Sequence, residues 1–389
     1  MMDTTTPLVN LAPVVWMALL GIALATGPLA WVWLRHRKAP PAYRLYVLTL
    51  LTAFLTFDLI VFGVFTRLTD SGLGCPDWPG CFGAFSPIGA RDEIRAAEAA
   101  IPDGPVTKLK AWIEMIHRYL ATGVGVLITV MAVSAWLEWR RRSPAMPSPW
   151  WATAALVWVS VQGAFGALTV TMQLYPAIVT LHLLGGVGLL GLLLVQAQMF
   201  APKPLLLSGR QRAVLWALAA MVFAQIALGG WVSTNNAVLA CMDFPMCNGS
   251  WWPPMDFANG FTVLREVGRN ADGTYLTMEA MVAIHYVHRL AAVPVLILIG
   301  LAAALLWRAE RKSAIALLAL AAWQLLTGLT TVVLHWPLIA ALAHSAGAAL
   351  LLALMAVLLT RTVQAQRLAG VAAGTPAAPT AQARIPVRG

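Results

Sequence analysis

The stretch GVFTRLTDSGLGCPDWPGCFG at residues 63–83 decides the fold of this chain, because a related stretch, GGWVSTNNAVLACMDFPMCNG, occupies residues 229–249. Aligned without gaps, the two stretches share seven identical residues: Gly63, Leu73, Cys75, Asp77, Pro79, Cys81 and Gly83 match Gly229, Leu239, Cys241, Asp243, Pro245, Cys247 and Gly249. Chance similarity between apolar segments would match leucine and alanine rather than cysteine, aspartate and proline. The two stretches therefore predict an internal duplication.

Further correspondences follow the two stretches in the same order in each half of the chain. They pair His117-Arg118 with His288-Arg289, Gln162 and Gly166 with Gln324 and Gly328, and His182 with His344. Duplicated units are common in membrane folds. We therefore predict a repeated unit of four helices.

The composition excludes a soluble globular protein, since 60% of the residues are hydrophobic and only 11% are charged. A membrane helix needs about 20 apolar residues. Nine stretches meet or approach that length: 12–34, 43–66, 112–137, 150–172, 176–200, 212–232, 279–306, 313–335 and 337–360. We predict an all-α polytopic membrane protein with two pseudosymmetric four-helix bundles, preceded by one extra transmembrane helix.

The net charge of +10 is a topology signal and does not indicate a nucleic-acid partner. Most basic residues fall on one side of a nine-span arrangement: Arg35, Arg37, Lys38, Arg44, Arg140, Arg141, Arg142, Lys203, Arg210, Arg212, Arg308, Arg311, Lys312, Arg361, Arg367, Arg384 and Arg388. Cytoplasmic loops carry such an excess of lysine and arginine. The N-terminus is therefore predicted outside, and the C-terminus in the cytoplasm.

Four segments are predicted along the chain. Residues 1–42 form the extra helix with a basic cytoplasmic loop, residues 43–202 the first four-helix half, residues 203–362 the second half, and residues 363–389 a disordered cytoplasmic tail. The first span is longer than the apolar region of a cleavable signal, and no Arg- and Ser-rich presequence is visible. This pattern favours a bacterial plasma (inner) membrane.

Four of the seven histidines occupy matched positions in the repeated units. His117 and His182 fall on the second and fourth helices of the first unit, and His288 and His344 on the same helices of the second. At 1.5 Å per residue, all four lie about 8–14 Å below the outer boundary. Two imidazoles that face each other across a bundle can hold a haem by both axial positions. The alternative is that each histidine hydrogen-bonds a neighbouring helix.

The halves differ three residues before their first ligand histidine, where Glu114 precedes His117 and His285 precedes His288. Residues at positions i and i+3 share a helix face, so Glu114 is predicted to face the pocket of His117. A carboxylate there can accept a proton or stabilise developing positive charge. The alternative is an acid that interacts with the helix dipole.

The arginines and cysteines leave alternatives open. Arg118 and Arg289 either contact haem propionates or extend to the outer boundary of the membrane. The four cysteines lie outside, where the environment is oxidising. They are predicted to form two local disulfides, structural or also redox-active, rather than free thiol pairs: Cys75 with Cys81, and Cys241 with Cys247.

Several motifs resemble the haem A synthase family, bacterial type with paired loop cysteines. They are TRLTDSGLGCPDWPGC from Thr66, EMIHR from Glu114, LH at Leu181-His182, HR at His288-Arg289 and AH at Ala343-His344. The resemblance extends from the second span to the ninth. It implies a membrane oxidoreductase that oxidises the C8 methyl group of haem O to the formyl group of haem A, for cytochrome oxidase assembly.

The resemblance also implies roles for single residues. His288 and His344 would ligate a resident haem b, whereas His117 and His182 would hold the substrate porphyrin. Glu114 would serve two successive oxidations of the methyl carbon, which give a geminal diol that loses water. The implied partners are haem O, membrane lipid, haem O synthase and the cytochrome oxidase assembly route, and a homo-oligomer is left open.

The alternative function is a non-catalytic di-haem electron carrier with two bis-histidine sites. Glu114 discriminates between the two functions, since a carrier should tolerate Glu114→Gln, whereas a synthase should lose its product and keep its haem. A transporter is a weaker alternative, because the repeats are parallel and no span carries the paired Gly/Pro interruptions of transporters.

Overall fold

The computed structural model describes residues 12–374, and this part of the chain folds into helices joined by loops. The helices are α1 (Ala12–Arg35), α2 (Pro41–Leu68), α3 (Arg91–Ala100), α4 (Lys108–Arg140), α5 (Trp150–Thr171), α6 (Pro176–Phe200), α7 (Gly209–Thr234), α8 (Phe257–Gly260), α9 (Met278–Leu306), α10 (Arg311–Val333) and α11 (Leu338–Gly374). Within these residues, extended backbone is limited to isolated bridges in the loops on the side predicted to be outer. The terms outer and cytoplasmic denote the predicted sides of the membrane, and this orientation stays a prediction.

Nine helices in the described range are long and apolar enough to cross a membrane, and they coincide with the nine predicted spans. The all-α polytopic class is therefore confirmed. The largest shift at a helix start is in α4, which begins at Lys108 because the Thr107 side chain accepts a hydrogen bond from the Lys110 backbone N–H at 3.3 Å. This cap extends the helix beyond its apolar stretch.

The predicted disordered tail was wrong for residues 363–374, which continue α11. Contacts at the cytoplasmic end hold this part of the helix. The Arg361 Nε donates to the Lys203 carbonyl at 2.8 Å, and its guanidinium pairs with Glu310 at 2.9 Å. Gln364 donates to the Gln198 carbonyl at 2.8 Å. The predicted tail beyond residue 374 lies outside the described residues.

Helix contacts repeat in the two parts of the chain. In the first, α2, α4, α5 and α6 form a closed ring of neighbours, and in the second α7, α9, α10 and α11 do the same. Each ring encloses its own apolar core. Contacts of α6 with α7 and α11, and of α2 with α11, join the two rings. This arrangement is the one that a duplicated unit predicts, and the duplication itself stays a prediction.

The extra helix α1 packs on the first ring, mainly against α4. Gly21 permits the close approach, because a Cβ atom there would lie 2.5 Å from the Thr122 Cγ2 atom. At the outer end, Trp16 stacks on Phe85 with ring centroids 5.5 Å apart. Met17 packs in the buried cluster that contains both cysteines of the first loop. Thus α1 covers the outside of the helix that carries Glu114 and His117.

Candidate functional site

The four histidines of the repeats lie on the helices that the sequence predicted, α4, α6, α9 and α11, and each is half-buried. The rings of His288 and His344 face each other across the second bundle. Their centroids are 6.5 Å apart, and their planes are nearly perpendicular, at 84°. The fold therefore brings together His288 on α9 and His344 on α11, which are far apart in the sequence.

A glycine on the neighbouring helix lies against each histidine ring. A Cβ atom on these glycines would approach the Cε1 atom of the facing ring to 3.0 Å (Gly63 and His117), 3.6 Å (Gly166 and His182), 3.1 Å (Gly229 and His288) and 3.2 Å (Gly328 and His344). A side chain at Gly63, Gly229 or Gly328 would crowd the ring, whereas a Cβ atom at Gly166 would make an ordinary contact. The repeated glycines of the sequence therefore leave room for the imidazoles between the helices.

Glu114 is buried and joins α4 to the first outer loop. Its Oε1 accepts a hydrogen bond from Arg118 at 2.6 Å, and its Oε2 accepts one from the Cys75 backbone N–H at 2.7 Å. The helix-dipole alternative does not hold, because α4 begins at Lys108 and has no acid in its first turn. Two strong donors suit an ionised carboxylate.

Both predicted cysteine pairs form disulfide bonds in the outer loops. The Cys75–Cys81 bond has an S–S distance of 2.07 Å, and the Cys241–Cys247 bond one of 1.91 Å. All four cysteines are buried. The loops therefore carry closed disulfides rather than free thiol pairs.

The arginine that follows His117 or His288 in the sequence holds the disulfide loop of its own half. Arg118 donates to the Asp77 carbonyl at 2.9 Å and also to the Pro79 and Gly80 carbonyls. Arg289 donates to the Asp243 and Cys241 carbonyls, each at 2.7 Å. The sequence did not predict this role. Its signal was the His-Arg pair that follows the cysteine loop in each half, and the propionate contacts stay a prediction.

The matching aspartates Asp77 and Asp243 stabilise these loops by accepting hydrogen bonds from their backbone. The Asp77 carboxylate accepts hydrogen bonds from the backbone N–H groups of Phe82 and Gly83, both at 2.6 Å. Asp243 accepts from Gly249 at 2.9 Å and from Asn248. The N–H groups of Gly249 and Asn248 hold the pKa of the Asp243 carboxyl below its usual value. The matching aspartates were visible in the sequence, but their contacts were not.

Arg67 links the two halves at the outer surface, which the sequence did not predict. Its Nη2 donates to the Ser233 carbonyl and to the Asn236 side-chain oxygen, both at 2.6 Å. The hydroxyl of Thr234, the residue after Ser233, shares a buried hydrogen bond of 3.2 Å with the hydroxyl of Thr180. These contacts tie the outer ends of α2 and α6 to the outer end of α7.

Comparison with known proteins gives one consistent family. The family model described as "Cytochrome oxidase assembly protein" matches residues 46–356, which leaves α1 outside. The "Heme A synthase" of Shewanella oneidensis is 37% identical over 308 residues, 78% of this chain and 92% of that protein. The "Heme A synthase" of Sphingopyxis alaskensis is 31% identical over 334 residues, which cover 79% of this chain and 89% of that protein.

A more distant relative agrees with these two. The "Heme A synthase" of Halalkalibacterium halodurans is 27% identical over 270 residues, 68% of this chain and 76% of that protein. With its nine candidate spans, the chain is a multi-pass bacterial membrane protein, as predicted. The resemblance of its motifs is confirmed as well, and the chain belongs to the haem A synthase family of cytochrome oxidase assembly proteins.

Proposed function

We propose that the protein is a haem A synthase, a membrane oxidoreductase that converts the C8 methyl group of haem O into the formyl group of haem A. The product serves cytochrome oxidase assembly. Membership in the family supports this function, as do relatives that are named for it. The observation that carries it is a buried carboxylate, Glu114, on the helix of one histidine pair only.

The first half, residues 43–202, takes the substrate. His117 and His182 hold the iron of haem O, and its farnesyl tail extends between helices into lipid. Arg118 and the Cys75 N–H keep Glu114 in place as a carboxylate. Its negative charge stabilises positive charge that develops at the methyl carbon, or accepts a proton lost in the two oxidations.

In the second half, residues 203–362, His288 and His344 would hold a resident haem b. Metal–imidazole bonds are about 2 Å long, so two facing rings would both reach one metal ion when their centroids are about 6 Å apart. The 6.5 Å between the two ring centroids supports this ligation. When bound, haem b supplies the oxidation–reduction chemistry of the enzyme. His285 replaces the acid here, and its Nε2 lies 3.2 Å from the Arg289 Nε.

Expression in a host that lacks haem A, beside a haem O synthase, tests the function. Chromatography of extracted haems should show haem A when this chain is present and only haem O when it is absent. Haem O that persists unmodified, while the purified protein carries its haem, would instead support the di-haem electron carrier. The same cells report whether haem O synthase is the source of the substrate.

A further inference from the structure

The second histidine pair is held by polar side chains at its outer nitrogens. The Thr327 hydroxyl oxygen lies 3.1 Å from the Nδ1 atom of His344, and the Gln225 amide nitrogen lies 3.2 Å from the Nδ1 atom of His288. Gln225 also donates to the His288 backbone carbonyl at 2.9 Å. Both ligand rings are thus fixed from a neighbouring helix, α10 or α7.

The direction of the Thr327 contact follows from its other hydrogen bond. The hydroxyl donates its one proton to the Trp323 carbonyl at 2.7 Å. It therefore accepts a hydrogen bond from Nδ1–H of His344. The proton on Nδ1 leaves the Nε2 atom of this ring unprotonated, which is the form that binds a metal.

Gln225 positions His288 in a different way. Its amide nitrogen donates to the His288 backbone carbonyl and lies beside Nδ1 of the ring, while its buried amide oxygen has no hydrogen-bond partner within residues 12–374. The amide cannot turn over, because its oxygen would then lie against the His288 carbonyl oxygen. Each histidine of the second pair thus has a polar side chain at its outer nitrogen, and at His344 this side chain accepts the hydrogen bond from Nδ1–H.

The first pair lacks such partners. The Nδ1 atoms of His117 and His182 are buried, and no hydrogen bond reaches either one in the described part of the chain. In the first half, apolar residues occupy the positions that match Gln225 and Thr327. Leu59 stands four residues before Gly63, as Gln225 stands before Gly229. Phe165 directly precedes Gly166, as Thr327 precedes Gly328. Leucine and phenylalanine offer no acceptor. The sequence itself therefore encodes the difference.

Partners of the outer nitrogen matter for a metal-bound histidine. They fix the ring orientation and raise the basicity of the ligand, and their loss typically costs about 10- to 100-fold in metal affinity. A histidine pair without them binds an iron porphyrin more weakly, and its rings turn more freely. The two halves should therefore differ strongly in how long each retains a haem.

We infer that Thr327 and Gln225 are positioning residues that make the second site retain its haem, whereas the first site exchanges its porphyrin readily. The inference rests on the function proposed above. It explains how two similar bundles hold a resident cofactor on one side and a substrate that enters and leaves on the other.

Transfer of haem from the purified holoprotein to excess apomyoglobin, followed by absorbance, tests this inference. The wild type should release haem in a fast and a slow phase, and His117→Ala should remove the fast phase. Thr327→Val should speed the slow phase about 10-fold. It should also move the midpoint potential of the slowly released haem to a more positive value, because the ligand becomes less basic.

Three further variants complete the test. Thr327→Ser should restore both the slow phase and the potential, and Gln225→Leu should speed the slow phase as Thr327→Val does. Thr330→Val is the matched control on α10, because among residues 12–374 the Thr330 hydroxyl donates only to the Leu326 carbonyl of its own helix. An unchanged slow phase and potential in both Thr327→Val and Gln225→Leu would overturn the inference. Haem A formation by the wild type would then still stand, since it is measured separately.

Discussion

The Arg118 guanidinium connects α4, the Glu114 carboxylate and the Cys75–Cys81 loop. One of its terminal nitrogens donates to Glu114, and the other donates to loop carbonyls near Pro79. A lysine could not replace it, because only the planar fork of arginine reaches both sets of acceptors at once. Glu114 is thus held between Arg118 and the Cys75 N–H, so that its position depends on the closed loop.

Glu114→Gln keeps the shape of this side chain and removes its charge. We expect the variant to retain bound haem, because the histidines are unchanged, and to form haem A about 100-fold more slowly, as when a positioned electrostatic group is removed. Pyridine haemochrome content and chromatography of extracted haems measure the two effects. Glu138→Gln is the control, since Glu138 lies on the same helix and pairs with Arg141 at the cytoplasmic end. Wild-type product formation by Glu114→Gln would remove the acid from the mechanism.

The long helices were predictable because apolar runs of about 20 residues have few alternatives in a membrane protein. The short helix α3 was not predicted, since Ile94 is its only buried residue and leaves no apolar stripe. The cytoplasmic end of α11 depends on Arg361 and Glu310, which are far apart in sequence. The placement of the four histidines was predictable from the matched positions in the two halves, and that of Glu114 from its spacing to His117, whereas the arginine–loop contacts required the tertiary structure.

Arg361→Ala tests what holds the cytoplasmic end of α11. The Arg361–Glu310 pair is about four-fifths buried, so its removal should cost about 1–3 kcal/mol and lower the thermal unfolding midpoint in detergent. The variant also loses the bond to the Lys203 carbonyl. Arg367→Ala, which changes an exposed residue six positions further along the same helix, should leave the midpoint unchanged. Equal midpoints for both variants would show that the pair is not needed for stability.

The two halves share their supports and differ in their chemistry. In each half, glycines face the histidines and an arginine holds a disulfide loop. Around the histidines, three differences bear on the chemistry: Glu114 against His285, Leu59 against Gln225, and Phe165 against Thr327. On the function proposed above, these side chains give one half an acid and the other half firmly held histidines. The two halves must also keep a fixed position relative to each other, and polar contacts at both membrane surfaces hold them together.

Arg67 is the strongest of the outer contacts between the halves, because a charged donor bonds both Ser233 and Asn236. Hydrogen bonds of a charged group contribute about 1.5–3 kcal/mol, against about 0.5–1.5 kcal/mol for neutral ones. Arg67→Gln should therefore lower the unfolding midpoint more than Thr180→Val, which removes only the neutral bond to Thr234. Calorimetry of both variants in the same detergent measures the difference. If Thr180→Val proves the more damaging change, the halves are joined by their buried core and not by this arginine.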